Sequence, residues 1–458
     1  MSGVCIENSL TEIEQIMKSI SIYIHIPFCV KKCQYCDFLS APADSRAQEV
    51  YLRALKQEIR EQAARYRKYE VQTVFIGGGT PTAVPCEKLC EVLKTVFTCY
   101  RVNPQAEISM EANPGTVTKE ALLSYRKAGI NRLSIGLQST DDGELKLLGR
   151  IHTYRDFLQT YRWAQEAGFT NINLDIMSAL PGQSVENYKK TLETVLSLRP
   201  QHISAYSLIV EEGTPFYEKY GQESEKLQAT GEKQPDLPSE EEEREMYTLT
   251  EKLLATAGYH RYEISNYALP GMECRHNRVY WKRGNYVGFG LGAASMVENV
   301  RFENTRKMQE YLAEYAGVPD AEPVFAEVAQ GDAQVLSNKQ EFSLREDTHS
   351  ENEQELSLRE DTHSENEQEL SIRENVHPLS PQEQMEETMF LGLRLTEGVS
   401  KAEFHRQFGV SMEQIYGEVI RKNTAKGLLI DEAGYVCLTR EGMDLSNYVM
   451  AQFLLDEV

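Results

Sequence analysis

SIYIHIPFCVKKCQYCDF, residues 21–38, is the stretch on which the reading of this chain turns. Its first six residues are mostly apolar, several of them β-branched, and read as a short buried strand. Pro27 then leads into a loop carrying Cys29, Cys33 and Cys36 at CxxxCxxC spacing. Four thiolates normally saturate a cubane cluster, so three without a nearby fourth suit a [4Fe-4S] centre that leaves one iron open to an external ligand. Two plainer readings stand beside it, a zinc site and three buried free thiols. Zinc usually takes paired CxxC units, and no second pair with regular spacing follows.

Working outward, apolar and β-branched runs recur at a regular beat: SIYIHI (21–26), TVFIG (73–77), AEISME (106–111), NRLSIG (131–136), NINLDI (171–176) and HISAYSL (202–208). Amphipathic stretches such as AQEVYLRALKQEIREQAARYRKY lie between them, as crossover helices between parallel strands require. The fold class is α/β, a partial or complete (β/α) barrel. A doubly wound nucleotide-binding sheet would call for GxGxxG after an early strand, and GGGTPT (77–82) is not that pattern. The barrel also puts Cys29 to Cys36, Gly77 to Thr80, Glu111, Gln138 and Asp175 at or just beyond strand C-terminal ends, the face on which barrels act.

A chain of 458 residues, 41% of them apolar, exceeds one ordinary core and predicts more than one domain. Nine cysteines over this length do not form a disulfide framework, and a thiolate trio needs a reducing compartment. The first residues carry early acids and no apolar core of a signal peptide, and no run is long enough to span a bilayer. Cytoplasmic localisation is expected, with room for a peripheral membrane contact. The net charge of −22 disfavours nucleic acid as a partner.

Part of that acidity sits in a tandem repeat. Phe342 to Glu355 and Leu356 to Glu369 are two copies of a 14-residue unit, (F/L)SLREDTHSENEQE, followed by a partial third, LSIREN (370–375). The unit is too polar to stack as a solenoid and reads as a solvated insertion. His349 and His363 within it are read as solvated rather than as metal ligands. The expected division is an N-terminal extension (1–20), a barrel (21–300), a linker with the insertion (301–377) and a C-terminal domain (378–458).

GGGTPT, EANP (111–114), SIGLQS (134–139), LGRIHT (148–153) and LDIMSALPG (174–182), in this order after the cysteine loop, resemble the HemN/HemW branch of the radical S-adenosylmethionine (SAM) superfamily. In that superfamily SAM completes the open iron through its amino and carboxylate groups. Carried over by the resemblance, Tyr23, Tyr35, Gly78, Gly79, Thr80 and Glu111 match positions lining the SAM site, with the amino group near Gly78 and Glu111. Gln138, Arg150 and Asp175 match positions that surround a second SAM in coproporphyrinogen-oxidising relatives. The plainer reading of Arg150 and Asp175 is an ion pair at the barrel mouth.

Two functions compete within the branch. Oxygen-independent coproporphyrinogen III oxidases, which are decarboxylases, typically carry CxxxCxxCxC and a longer N-terminal region. Here Asp37 and Phe38 follow Cys36, and 22 residues precede Tyr23. Both features match the HemW-type heme chaperones, whose signature includes CDF, although Phe38 is also readable as a core aromatic. RHNRVYW (275–281) matches the HNxxYW motif associated with heme binding in that family, making His276 the expected heme ligand and Cys274 an alternative or second one. The likeness implies a chaperone that binds a [4Fe-4S] cluster, SAM and heme and passes heme to an acceptor hemoprotein. Many relatives have GAHS where this chain has GAAS, so Ala294 stands in a position often held by histidine.

Near the C-terminus, EQMEETMFLGLR (383–394) reads as an amphipathic helix, and the helix, helix, hairpin order after it suggests a small winged-helix-like domain. With seven Lys and Arg against 13 Asp and Glu from residue 378 onward, it is a poor reader of phosphate and is expected to be an interaction or lid domain.

Overall fold

The computed structural model describes residues 17–221, 235–317 and 372–455. The chain begins with β1 (Lys18–Ile26), α1 (Ser45–Gln62), β2 (Tyr69–Gly78), α2 (Cys86–Cys99), β3 (Val102–Ala112), α3 (Lys119–Ala128) and β4 (Arg132–Gln138). It continues through α4 (Asp142–Leu147), α5 (Tyr154–Glu166), β5 (Ile172–Ser178), α6 (Val185–Leu198) and β6 (His202–Ser207). Each strand expected from the sequence is present, and β1 to β6 pair in parallel in chain order.

Alternation makes this sheet two-faced. Ile22, Ile24, Val74, Ile76, Ile108, Leu133, Ile135 and Leu174 are buried in the core shared with the helices. The intervening residues, among them Ser21, Tyr23, Thr73, Glu107, Glu111, Ser134 and Asp175, belong to the other, concave face. That face is mostly polar, which a barrel packed only as a core would not need.

Beyond β6 come α7 (Pro215–Tyr220), α8 (Glu240–Thr256), β7 (His260–Arg261), β8 (Asn266–Ala268), α9 (Arg275–Trp281), β9 (Tyr286–Phe289), β10 (Ala294–Val297), β11 (Val300–Asn304), α10 (Met308–Ala316) and β12 (Arg373–Pro378). They extend the sheet to 12 strands in the order β12-β11-β10-β9-β1-β2-β3-β4-β5-β6-β8-β7. Strand β9 runs parallel to β1, whereas β10 to β12 and β8 to β7 add antiparallel margins. Both ends of this order are edges, so the barrel is partial.

The stretch 301–377 is therefore not simply a linker. Strand β11 pairs with β12, and α10 packs on α1, so both arms of the insertion are built into the sheet domain. Arg373, Glu374 and Asn375 of the partial third repeat copy start β12. The two full copies, with His349 and His363, and residues 1–16 lie outside the described residues.

The C-terminal domain comprises α11 (Pro381–Gly392), β13 (Val399–Ser400), α12 (Lys401–Phe408), α13 (Met412–Ala425), β14 (Leu429–Glu432), β15 (Tyr435–Leu438), α14 (Arg440–Asp444) and α15 (Ser446–Ala451). Capping boxes start α11 at Ser380 and α13 at Ser411. The hairpin β14–β15 turns through Ala433 and Gly434, both at positive φ, and β13 completes a three-stranded sheet. Met389, Leu393, Phe404, Tyr416, Ile420, Val436 and Phe453 form a separate core. The arrangement is winged-helix-like, as the element order predicts.

Candidate functional site

The cysteine loop is fastened at both ends. Cys29 N–H donates to the Ala41 carbonyl at 3.1 Å, and Ala41 N–H to that of Pro27 at 3.0 Å, closing its stem. From the β2 turn, Gly79 N–H reaches the Ile26 carbonyl at 2.9 Å and Thr80 N–H the Phe28 carbonyl at 2.7 Å. Further along, Gln34 donates to Leu148 O and accepts from Phe216 N–H, each at 3.0 Å. Cys29, Cys33 and Cys36 are free thiols, each half-buried. Among the described residues no three His, Cys, Asp or Glu side chains gather tightly enough to hold one ion.

GGGTPT works through what it lacks. A Cβ on Gly79 would stand 2.7 Å from the Phe28 carbonyl oxygen, 2.8 Å from Ser40 Cβ and 3.0 Å from Cys29 Sγ. Gly78 has φ +115°, which residues with side chains rarely adopt. A bare backbone is therefore needed for the β2 turn to reach the loop. Thr80 Oγ1 then lies 3.4 Å from Cys29 Sγ and accepts from Asn113 Nδ2 at 2.9 Å.

Glu111 stands beside that turn, its carboxyl pushed up to about 8 by burial and by the charge of Asp175, against a hydrogen bond from Gly78 N–H that lowers it. Burial also raises the Tyr23 phenol, with Glu111 as a second cause. Tyr23 OH donates to His25 Nδ1 at 3.0 Å. His25 Nε2–H must then donate to Leu39 O at 2.9 Å, so this imidazole ties Tyr23 to the cysteine loop.

Gly78, Gly79, Thr80 and Glu111 thus lie beside the loop, Tyr23 is linked to its C-terminal arm through His25, and Tyr35 is part of it, between Cys33 and Cys36. Arg150 joins them: Nη1 is 3.6 Å from Cys33 Sγ, and Nη2 donates to Gly136 O at 2.9 Å and to Asn113 Oδ1. A small cleft beside the loop is lined by Cys33, Thr80, Asn113, Thr116 and Arg150. Gln138, at φ +69°, accepts from Tyr206 OH at 3.1 Å. Asp175 lies within β5 rather than at its end, raised by burial, and accepts from Asn173 Nδ2 at 2.7 Å and Ser134 Oγ at 3.1 Å. The ion pair between Arg150 and Asp175 is not formed: the guanidinium faces sulfur, and the carboxylate faces neutral donors. Phe38 is 64% exposed, which removes the reading of it as a core aromatic.

His276 lies apart from this cleft. It is fully buried at the start of α9. Nδ1 pairs with Thr73 Oγ1 at 2.7 Å and Nε2 with Tyr280 OH at 2.8 Å. The ring stacks on Phe75 at 5.2 Å and meets the Tyr280 ring edge-on at 5.1 Å. Burial drives its pKa down to about 3. As folded it presents no free nitrogen to a heme iron. Cys274 is no better placed, being buried against Glu107 with its thiol pushed up to about 12. Glu107 also accepts from the backbone N–H groups of Arg275 and His276, capping α9. Ala294 is exposed at the start of β10.

Asn113, His25 and Glu107 were not singled out from the sequence. Asn113 lies within the EANP segment and His25 within YIHIP, one inward-facing step after Tyr23; that alternation was the signal available. Glu107 had none, because a capping carboxylate on a strand is recognisable only once the distant helix is in place.

The signature of the Radical SAM superfamily matches residues 23–195, and that of the HemN C-terminal domain residues 379–445. The heme chaperone HemW of Bacillus subtilis is 35% identical over 435 residues, covering 95% of this chain and 99% of that protein. The chain belongs to the HemW family. HemW of Escherichia coli is 38% identical over 279 residues, 61% of this chain and 70% of that one. Among solved structures, E. coli coproporphyrinogen III oxidase (HemN), a radical SAM enzyme, superposes with a TM-score of 0.73 at 20% identity, covering 96% of this chain and 91% of that one; this bears on fold alone. Membership of the HemW family within the radical SAM superfamily brings a [4Fe-4S] cluster and SAM as cofactors. The free, half-buried thiols and the polar cleft beside them suit that pair, and the sealed His276 does not suit an axial heme ligand as folded. No helix among the described residues is long and apolar enough to cross a membrane.

Proposed function

We propose that this chain is a cytoplasmic heme chaperone that holds a [4Fe-4S] cluster on Cys29, Cys33 and Cys36, binds SAM at its open iron, and delivers heme to an acceptor hemoprotein. The observation that carries the reading is the relation to heme chaperone HemW across 99% of that protein's length. The residues agree with it. Tyr23, Gly78, Gly79, Thr80 and Glu111 offer SAM a carboxylate for its ammonium and bare backbone for close approach, and Asp37 with Phe38 replaces the fourth cysteine of the decarboxylases. Bound, the cluster supplies a one-electron redox centre. Gln138 and Asp175 line the same concave face further from the cysteines.

The test is anaerobic reconstitution followed by two measurements on one preparation. Heme titrated into the protein is expected to give a saturable Soret band. Coproporphyrinogen III with SAM and reductant is expected to give no decarboxylated product. Turnover of coproporphyrinogen would overturn the chaperone reading in favour of the oxidase, and absence of heme binding would overturn it outright.

A further inference from the structure

The contact between Arg150 and Cys33 joins a buried guanidinium to the middle cysteine of the loop. Arg150 lies on the turn between α4 and α5, and its guanidinium is held on several sides. Nη2 is taken by the Gly136 carbonyl and Asn113 Oδ1, and the phenol of Tyr35 is a further hydrogen-bond partner. Gly136 makes the pose attainable, since a Cβ there would lie 3.0 Å from Nη2 and 2.8 Å from Asn113 Oδ1. Of the rest, Nε is buried without a hydrogen-bond partner among the described residues, and Nη1 is aimed at Cys33 Sγ from 3.6 Å.

A thiolate ligating iron keeps lone pairs that accept hydrogen bonds, and such bonds withdraw charge from the cluster. A fixed cation at that distance, shielded from bulk water, also favours the state carrying one more negative charge. Lys31 and Lys32, on the same loop, are exposed and their influence is screened.

We propose that Arg150 is a positioning residue for the redox centre: its N–H···S hydrogen bond to Cys33 raises the cluster's reduction potential, so that one electron from a low-potential donor is accepted more readily, before and independently of SAM binding. This rests on the reading of Cys33 as a cluster ligand.

Wild type, Arg150→Gln, Arg150→Lys, Gly136→Ala and Lys32→Gln are reconstituted without SAM, assayed for iron and sulfide, and poised with mediators while the reduced cluster is counted by electron paramagnetic resonance. At a fixed potential Arg150→Gln is expected to lower the reduced-to-oxidised ratio about tenfold, equivalent to ~59 mV for a one-electron couple. Arg150→Lys, which keeps the charge without the fork, and Gly136→Ala, which displaces the fork while keeping the charge, are expected to fall between. Lys32→Gln is expected to match wild type. If Arg150→Gln does not retain iron, Gly136→Ala and Arg150→Lys decide the matter. Unchanged ratios in the iron-replete variants, or an equal shift in Lys32→Gln, would overturn the inference. Wild type without iron and sulfide would instead overturn the cluster reading.

Discussion

Arg283 Nε donates to Glu387 Oε2 at 2.8 Å across the junction of barrel and C-terminal domain, with the two side chains only 4% and 6% exposed. Arg301 meets the other oxygen of Glu387 at 2.7 Å. Around this pair, Arg394 of the C-terminal domain lies over the Trp281 ring at 4.4 Å, and Glu397 receives Arg278 and Lys282. One side of α9 and the turn after it is thus clamped to the C-terminal domain, while His276 and Tyr280 insert into the barrel.

Glu387→Ala leaves Arg283 buried with Asn299 and Thr388 as its hydrogen-bond partners among the described residues. Removing one member of a buried pair typically costs about 3 kcal/mol or more. Urea unfolding of the apoprotein should show that loss, and Glu387→Gln, which keeps an acceptor, should lose less. Equal stability of the alanine variant and wild type would mean the junction is not closed in solution.

His276→Ala opens a cavity and strands the hydroxyl of Tyr280, while Thr73 keeps its hydrogen bond to Ser21 Oγ. A loss of about 3 kcal/mol is expected without any heme present. Tyr280→Phe removes one hydrogen bond and should cost about 1 kcal/mol. Denaturant midpoints of heme-free protein check both. A Soret band lost in His276→Ala is therefore evidence of ligation only if Tyr280→Phe, or another variant of similar destabilisation, retains it.

Glu58 of α1 is buried and accepts from Gly290 N–H at 2.8 Å, Asn304 Nδ2 at 2.6 Å and Tyr311 OH at 2.7 Å. Burial nevertheless raises it to about 7, from 4.5. The folded chain holds this proton where the unfolded chain has lost it, so its contribution is full below pH 4.5 and is lost as pH rises through 7. The unfolding free energy of wild type minus that of Glu58→Gln should fall by up to ~3 kcal/mol between pH 5 and 8. A difference independent of pH would show that the three donors keep the carboxylate ionised.

Gly79→Ala drives a Cβ into the Phe28 carbonyl and Cys29. The strands beneath are untouched, so far-UV circular dichroism should match wild type while iron per chain after reconstitution drops several-fold. Full iron incorporation would mean that the loop yields without cost.

The parallel strands were legible because β-branched residues such as Ile22, Ile24, Val74 and Ile76 recur at period two between helical stretches, so local pattern and tertiary role agree. The cysteine loop and GGGTPT were legible for the same reason: their chemistry is continuous in sequence. Strands β10 to β12 were not. VRFEN and RENVHP are short and largely polar; the first pairs antiparallel with β10 and β12, and the second pairs with it across the insertion. The burial of His276 was not legible, because nothing in HNRVYW says which side of α9 faces Phe75 and Thr73; it depends on partners distant in the chain, as the 203-residue separation from Thr73 shows.

Thr305 N–H donates to Ile372 O at 2.7 Å, and Tyr311 is tied to Glu58, so the chain leaves and rejoins the sheet domain at anchors that do not rely on what is threaded between them. The register of β11 against β12 is thus written into the two strands themselves, independently of how many copies of the 14-residue unit the sequence carries between them.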